Sequence, residues 1–114
     1  MASRRKEHQE DQKLKMFQIL SSNPQITSRG LAQKVGISNG SAYNLLTSLI
    51  DKGFIKLSKF RKKPQKISYI YLLTLKGMHE KSILSHRLLI KKKKEHKLLE
   101  IEIRKLEQDT SLDI

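Results

Sequence analysis

A chain of 114 residues with 24 Lys and Arg against 11 Asp and Glu has the length of one domain and a formal net charge of +13, a balance that favours polyanionic partners. It has no cysteine, which excludes disulfides, cysteine-ligated zinc and thiol chemistry within the chain. No apolar run approaches membrane-spanning length, and the basic start from Met1 to His8 leads into no hydrophobic stretch. Neither a membrane span nor a signal peptide is expected, and the expected compartment is the cytoplasm.

Residues 1–10 are polar and aperiodic and read as a flexible basic N-terminus. From Asp11 onward, Leu14, Phe17, Ile19 and Leu20 recur at roughly helical spacing. Ser21-Ser22-Asn23-Pro24 stops that helix, because Pro24 drives Asn23 out of the helical region. Thr27 is the expected N-cap of a short second helix holding Leu31, Ala32 and Val35, and Gly36 is its C-cap. Ser38 comes next as the cap of a third helix, expected from Asn39 to about Lys52 and closed by Gly53. Only Gly36-Ile37-Ser38 separates the two, the connection of a helix-turn-helix, and the small Ala32 lets the helices pack closely.

On the third helix Ala42, Leu45, Leu46, Leu49 and Ile50 gather on one side, which should pack inward. The opposite side centres on Gly40, Asn44, Thr47 and Asp51, flanked by Tyr43 and Ser48. Asn44 can pair with adenine through two hydrogen bonds, Thr47 can hydrogen-bond a base or lay its methyl on thymine, and Tyr43 can reach a phosphate. Gly40 brings the backbone close. The first-turn amides around Asn39, with Ser38 and Ser41, offer a phosphate site. Asp51 would repel a phosphate backbone and is placed clear of it.

Phe54 to Phe60 reads as a strand, and Ile67 to Leu73 is a β-branched and aromatic run of strand length. Between them lies a basic turn, Arg61-Lys62-Lys63-Pro64-Gln65-Lys66. With Lys56 and Lys59 this hairpin carries six cations and no acid, a repulsion that a polyanion would offset. Lys59, Arg61, Lys62, Lys63 and Lys66 are the candidate contacts. Arg61 is assigned to a minor groove because arginine is favoured where that groove is narrow. Tyr69 and Tyr71 alternate with Ile70 and Leu72, so one pair should face the core.

Thr74 can cap a fourth helix. Past Gly77, read as a flexible point, the chain looks helical to about Gln108. Leu84 and Leu88, with Ile83 and Leu89, form an apolar stripe that ends at Lys91-Lys92-Lys93-Lys94; Leu98, Leu99, Ile103 and Leu106 resume it, with Ile101. A helix that outruns its small domain needs a partner, most simply a second subunit, so Leu84, Leu88, Leu98, Leu99, Ile103 and Leu106 are the expected dimer contacts. Residues 98–114 hold five acids against Arg104 and Lys105 and should stay away from DNA.

The expected architecture is mainly α with a small β-hairpin. It is a winged helix-turn-helix at 11–77, a long C-terminal dimerisation helix at 78–108 and a frayed tail at 109–114. His8, His79, His86 and His96 have no ligand partners at useful spacing, and no nucleophile-base set or phosphate loop can be assembled. No catalytic residue, metal or cofactor is expected, and the chain is not expected to be an enzyme.

The same residues carry a family likeness. The stretch from Asn23 to Ala32 and then Val35 to Gly40 resembles the helix-turn-helix of MarR-type regulators. Leu49-Ile50-Asp51-Lys52-Gly53-Phe54-Ile55 and Leu73-Thr74-Leu75-Lys76-Gly77 look like the segments on either side of their wing. Tyr43-Asn44, the run from Tyr69 to Thr74, and a lysine-containing helix with a Glu-rich end are similar to a narrower branch. That branch comprises the MarR-like regulators associated with extracellular polysaccharide (EPS) gene clusters. The resemblance covers about residues 11–108. It implies a bacterial transcriptional regulator acting near exopolysaccharide biosynthesis genes.

One departure matters. The broader family has an acid and an arginine in the wing where this chain has Lys63-Pro64-Gln65-Lys66, so Arg61 is a physical assignment and not a motif match. A dedicated pocket for a small-molecule effector is not expected. The expected partners are double-stranded DNA, as an inverted-repeat operator, and a second copy of the chain. A winged-helix RNA-binding or protein-assembly module is the alternative.

Overall fold

The computed structural model describes the backbone of residues 2–63 and 66–111 and the side chains of residues 4–59 and 69–111. The elements run α1 (Ala2–Ser22), α2 (Ser28–Val35), α3 (Asn39–Asp51), β1 (Ile55–Lys63), β2 (Lys66–Leu73) and α4 (Leu75–Ser111). The chain divides into two compact units, Met1–Leu84 and Ser85–Ile114. The first takes in the opening turns of α4, beyond the 11–77 span expected from the sequence.

The predicted caps form. Thr27 is extended and its hydroxyl accepts from the Gly30 amide at 3.0 Å. Gly36, at φ 82°, takes the left-handed conformation that only glycine adopts without strain, and its amide donates to the Ala32 carbonyl at 2.9 Å. Ser38 accepts from the Ser41 amide at 3.1 Å to start α3. Gly53, at φ 80°, ends the turn after it, where the Phe54 amide reaches the Leu49 carbonyl at 2.9 Å.

The core of the first unit joins Leu14, Met16, Phe17 and Leu20 of α1 to Leu31, Ala32 and Val35 of α2 and Ala42, Leu46 and Leu49 of α3. Phe54, Ile55 and Leu84 complete it from the hairpin base and α4. Each large side chain buried here stabilises the fold by about 1.5–3 kcal/mol. Phe17 meets Phe54 edge-on, with centroids 6.1 Å apart and planes at 77°. The Lys13 and Lys76 ammonium groups lie 4.4 and 5.0 Å from the centre of the Phe54 ring, and Lys13 also pairs with Glu80 at 3.6 Å.

β1 and β2 form an antiparallel hairpin, Ile55 opposite Leu73 and Lys59 opposite Tyr69, with a register shift between Arg61 and Lys63. Its outer edge is tied back to the α1–α2 turn, where the Tyr71 amide donates to the Pro24 carbonyl at 3.1 Å. Thr74 fastens the base. Its amide donates to the Phe54 carbonyl at 3.1 Å, its hydroxyl lies 2.6 Å from the Gly53 carbonyl, and the Gly77 amide donates to that hydroxyl at 3.0 Å.

Five expectations need correction. α1 begins at Ala2, ahead of the expected Asp11, because residues 2–10 are good helix formers with no apolar stripe to announce them. Gly77 is not a flexible point but a buried residue of α4, where an added Cβ would lie 2.0 Å from the Phe54 carbonyl oxygen. The strands extend further into the basic segment than expected, β1 to Lys63 and β2 from Lys66. The tyrosine alternation does not divide into two faces, since Tyr69 and Leu72 are exposed while Ile70 and Tyr71 are half-buried. A two-stranded ribbon offers only its base for packing. Leu84, expected on the dimer seam, is 3% exposed within the single chain and belongs to the core.

Candidate nucleic-acid interface

α3 places its polar side outward because its apolar side is held by α1 and α2. With Ala42, Leu46 and Leu49 buried, helical geometry leaves Asn39, Gly40, Ser41, Tyr43, Asn44 and Thr47 exposed along one flank. Tyr43, at 63% exposure, is the large aromatic side chain of that flank.

The hydrogen bonds within the helix narrow what each group can do. The Ser38 hydroxyl accepts from the Ser41 amide and donates to the Ser41 hydroxyl at 2.9 Å, so its role is to cap the helix. Ser41 keeps its own proton for an acceptor. The Thr47 hydroxyl donates to the Tyr43 carbonyl at 2.8 Å, which leaves oxygen lone pairs and a methyl group to face a ligand but no donor. Asn44 is exposed. Asp51 is exposed at the far end of the helix.

Ser48 stands one turn beyond Asn44, at the margin of that flank. It is half-buried and lines a cleft between α1 and α3 together with Lys6, Gln9, Lys13, Leu45 and Lys52. Lys56 and Lys59 are exposed on β1. The side chains of Arg61, Lys62, Lys63 and Lys66 lie outside the described residues, so the assignment of Arg61 to a groove does too.

Ser28 and Arg29 were not among the residues singled out from the sequence. They are exposed in the first turn of α2, just after the Thr27 cap. In a helix-turn-helix the first of the two helices crosses the phosphate backbone, and its amide end suits an anion. The signal was present in the cap position itself.

Among the described residues, no group of three or more His, Cys, Asp or Glu is placed to hold a metal ion, and no helix is long and apolar enough to cross a membrane. On α4, Leu98, Leu99, Ile103 and Leu106 are all more than half exposed, and Leu88 is half-buried.

Residues 9–56 match the family described as winged helix-turn-helix DNA-binding. No curated protein matches the sequence. Solved structures do. The adhesin competence repressor of Streptococcus pyogenes is similar over 78% of this chain and 64% of its own, at 19% identity and a TM-score of 0.63. A MarR family transcriptional regulator from Silicibacter pomeroyi is similar over 67% of this chain and 50% of its own, at 22% identity and a TM-score of 0.55. The PcaV transcriptional regulator of Streptomyces coelicolor, solved with its natural ligand, is similar over 68% and 53%, at 16% identity and a TM-score of 0.57. The chain thus spans between half and two thirds of the length of these relatives. At such identities the likeness is one of fold, and it agrees with the element order, the caps and the hairpin described above. The chain is a winged helix-turn-helix protein, with the fold that MarR-type transcriptional regulators share.

Proposed function

We propose that the chain is a sequence-specific, duplex-DNA-binding transcriptional regulator that acts as a homodimer. The observation that carries this reading is the exposed flank of α3, where Asn44, Thr47, Tyr43 and the first-turn amides stand together, in a chain whose next element, β1, exposes Lys56 and Lys59. α3 enters a major groove, Asn44 and Thr47 read base edges, and the hairpin lysines and Arg61 hold the flanking backbone or minor groove. The DNA-binding description of the matching family supports this reading. So do the printed roles of the structural relatives as a repressor and as transcriptional regulators. The likeness of Tyr43-Asn44 and the segment from Tyr69 to Thr74 to the EPS-associated branch directs the proposal to exopolysaccharide biosynthesis genes.

Titration against duplex DNA and sequence-matched RNA tests the first step. Tighter binding to duplex is expected, and equal or tighter binding to RNA would favour an RNA-binding module instead. Asn44→Ala should cost roughly 1–3 kcal/mol on the preferred site and little on random DNA, because base contacts carry the discrimination. An unchanged ratio of specific to random affinity would remove α3 as the reader.

Lys59→Ala should act differently. It should weaken specific and random binding alike and lower the slope of log affinity against log salt by roughly one, the loss of a single phosphate contact. A salt slope equal to that of the unaltered protein would take Lys59 out of the interface.

A further inference from the structure

α4 beyond Leu84 belongs to the second unit, and its residues from Leu89 to Ser111 are exposed. Counted along the sequence, its charges change from basic to acidic near Leu98. Counted around the helix, at about 100° per residue, they sort differently. Lys93, Lys94, Lys97, Arg104 and Lys105 fall within one arc of about 120°, and Arg87 lies on the same line nearer Leu84. Glu95, Glu102, Glu107 and Asp109 fall on the opposite half, with Glu100 at the edge. The acids that make 98–114 look unsuited to DNA in the sequence therefore leave this basic stripe clear.

The ion pairs Lys92–Glu95 at 3.4 Å and His96–Glu100 at 3.1 Å join groups outside the arc. Among the described residues, Lys93, Lys94, Lys97, Arg104 and Lys105 enter no ion pair. Lys97 stands one turn from both Lys93 and Lys94, a repulsion that a polyanion would offset. An anionic lipid surface fits poorly. It would take up the apolar line opposite the stripe, Leu88, Leu99, Ile103 and Leu106, and Lys92 and Glu95 stand in that line. A duplex fits better. From Lys93 to Lys105 the stripe is about 18 Å long, and duplex DNA carries one charge per about 1.7 Å of its axis. Lysine, a compact point charge, suits phosphates and not the two-bond reading of a base edge.

We propose that this stripe is a second, sequence-independent contact of the protein to the phosphates of duplex DNA. This rests on the duplex-binding reading and adds to it a site outside the winged helix-turn-helix unit. The stripe raises affinity for every sequence and discriminates among none.

The test compares charges on and off the stripe in the full chain. Lys93→Gln with Lys97→Gln should make the slope of log affinity against log salt shallower by about 1.8, the loss of two phosphate contacts. Affinity for random duplex at low salt should fall at least about tenfold, and the ratio of preferred to random affinity should stay as it is. Lys97→Gln alone should lower the slope by about 0.9, whereas Lys92→Gln, which removes the same charge from the opposite side, should leave it unchanged. All of these side chains are exposed, so the variants keep the fold, which circular dichroism verifies.

An unchanged slope in a double variant that still binds duplex would overturn the stripe and leave the duplex reading standing. Equal losses from Lys97→Gln and Lys92→Gln would overturn it too, since net charge alone would then explain both. Binding to phosphatidylserine vesicles that exceeds binding to random duplex, and is lost in the double variant, would assign the stripe to a membrane surface instead. An unaltered chain that binds no duplex would overturn the reading on which the stripe rests.

Discussion

Gly77→Ala should lower the stability of the first unit by about 3 kcal/mol, because the methyl group has nowhere to go. A Cβ at this position would stand 2.0 Å from the Phe54 carbonyl oxygen and 3.0 Å from its carbon, and both are backbone atoms that cannot swing aside. Relief requires parting the start of α4 from the base of β1. That movement would break the Thr74 amide bond to the same carbonyl and loosen Phe54 from Phe17. The small gain in helix propensity from glycine to alanine, about 1 kcal/mol, is outweighed. In a thermal melt followed by circular dichroism the loss should appear as a fall in Tm of roughly 12–24 °C.

Gly40→Ala is the counterpart. Nothing lies within 4 Å of its added Cβ, so the fold should melt at the same temperature or slightly higher. Affinity for the preferred DNA should nevertheless fall if the backbone of α3 approaches the duplex there. A Gly77→Ala melt within about 2 °C of the unaltered protein would mean that α4 and β1 are not packed as described.

Moving the two halves of an operator by half a turn should abolish most of the specific affinity. A two-fold dimer presents two α3 helices, so its site should be an inverted repeat with half-sites about 34–36 Å apart, one turn of the duplex. Inserting five base pairs leaves every base contact in place but rotates one half-site to the opposite face. The dimer can then engage only one, and affinity should drop roughly a hundredfold toward that of a single half-site. Ten inserted pairs return the half-sites to one face, and recovery there measures how far protein and DNA can stretch. Footprinting should show two matched major-groove protections on the native spacing and one on the five-pair spacing. Equal affinity for the native repeat, the five-pair spacer and a lone half-site would exclude symmetric reading.

What was legible in the sequence was whatever leaves a local chemical mark. Thr27, Gly36, Ser38 and Gly53 announced the ends of α2 and α3 because capping is a contest among neighbouring atoms, decided by residue type. The inward face of α3 could be read from its periodicity, and with it the outward flank. What was hidden depended on distant partners. Met16 is fully buried although it lies off the stripe read in α1, because core contacts reach α1 from more than one side. Gly77 looked like a flexible point because nothing in its neighbours tells that the Phe54 carbonyl will press against it. The cleft that Ser48 also lines was hidden too, because it depends on how α1 packs beside α3. The first turns of α1 escaped because apolar patterning reports burial, and a solvated helix need not have any.

The ties at the foot of the hairpin bear on how such a protein can diversify. Gly53 and Phe54 on one side and Thr74 on the other are joined by short backbone and hydroxyl bonds, and Lys76 adds a bond of 2.8 Å to the Lys52 carbonyl. Everything between residues 54 and 74 is thereby a closed loop whose ends are fixed independently of its contents. Lengthening such a loop costs little, about 0.6 kcal/mol for a doubling. Descendants of this chain could therefore gain or lose residues at the tip in pairs, changing how far it reaches around a duplex, without shifting α3 or the start of α4. Reach and reading are separate traits in this fold, and selection can adjust one while holding the other constant.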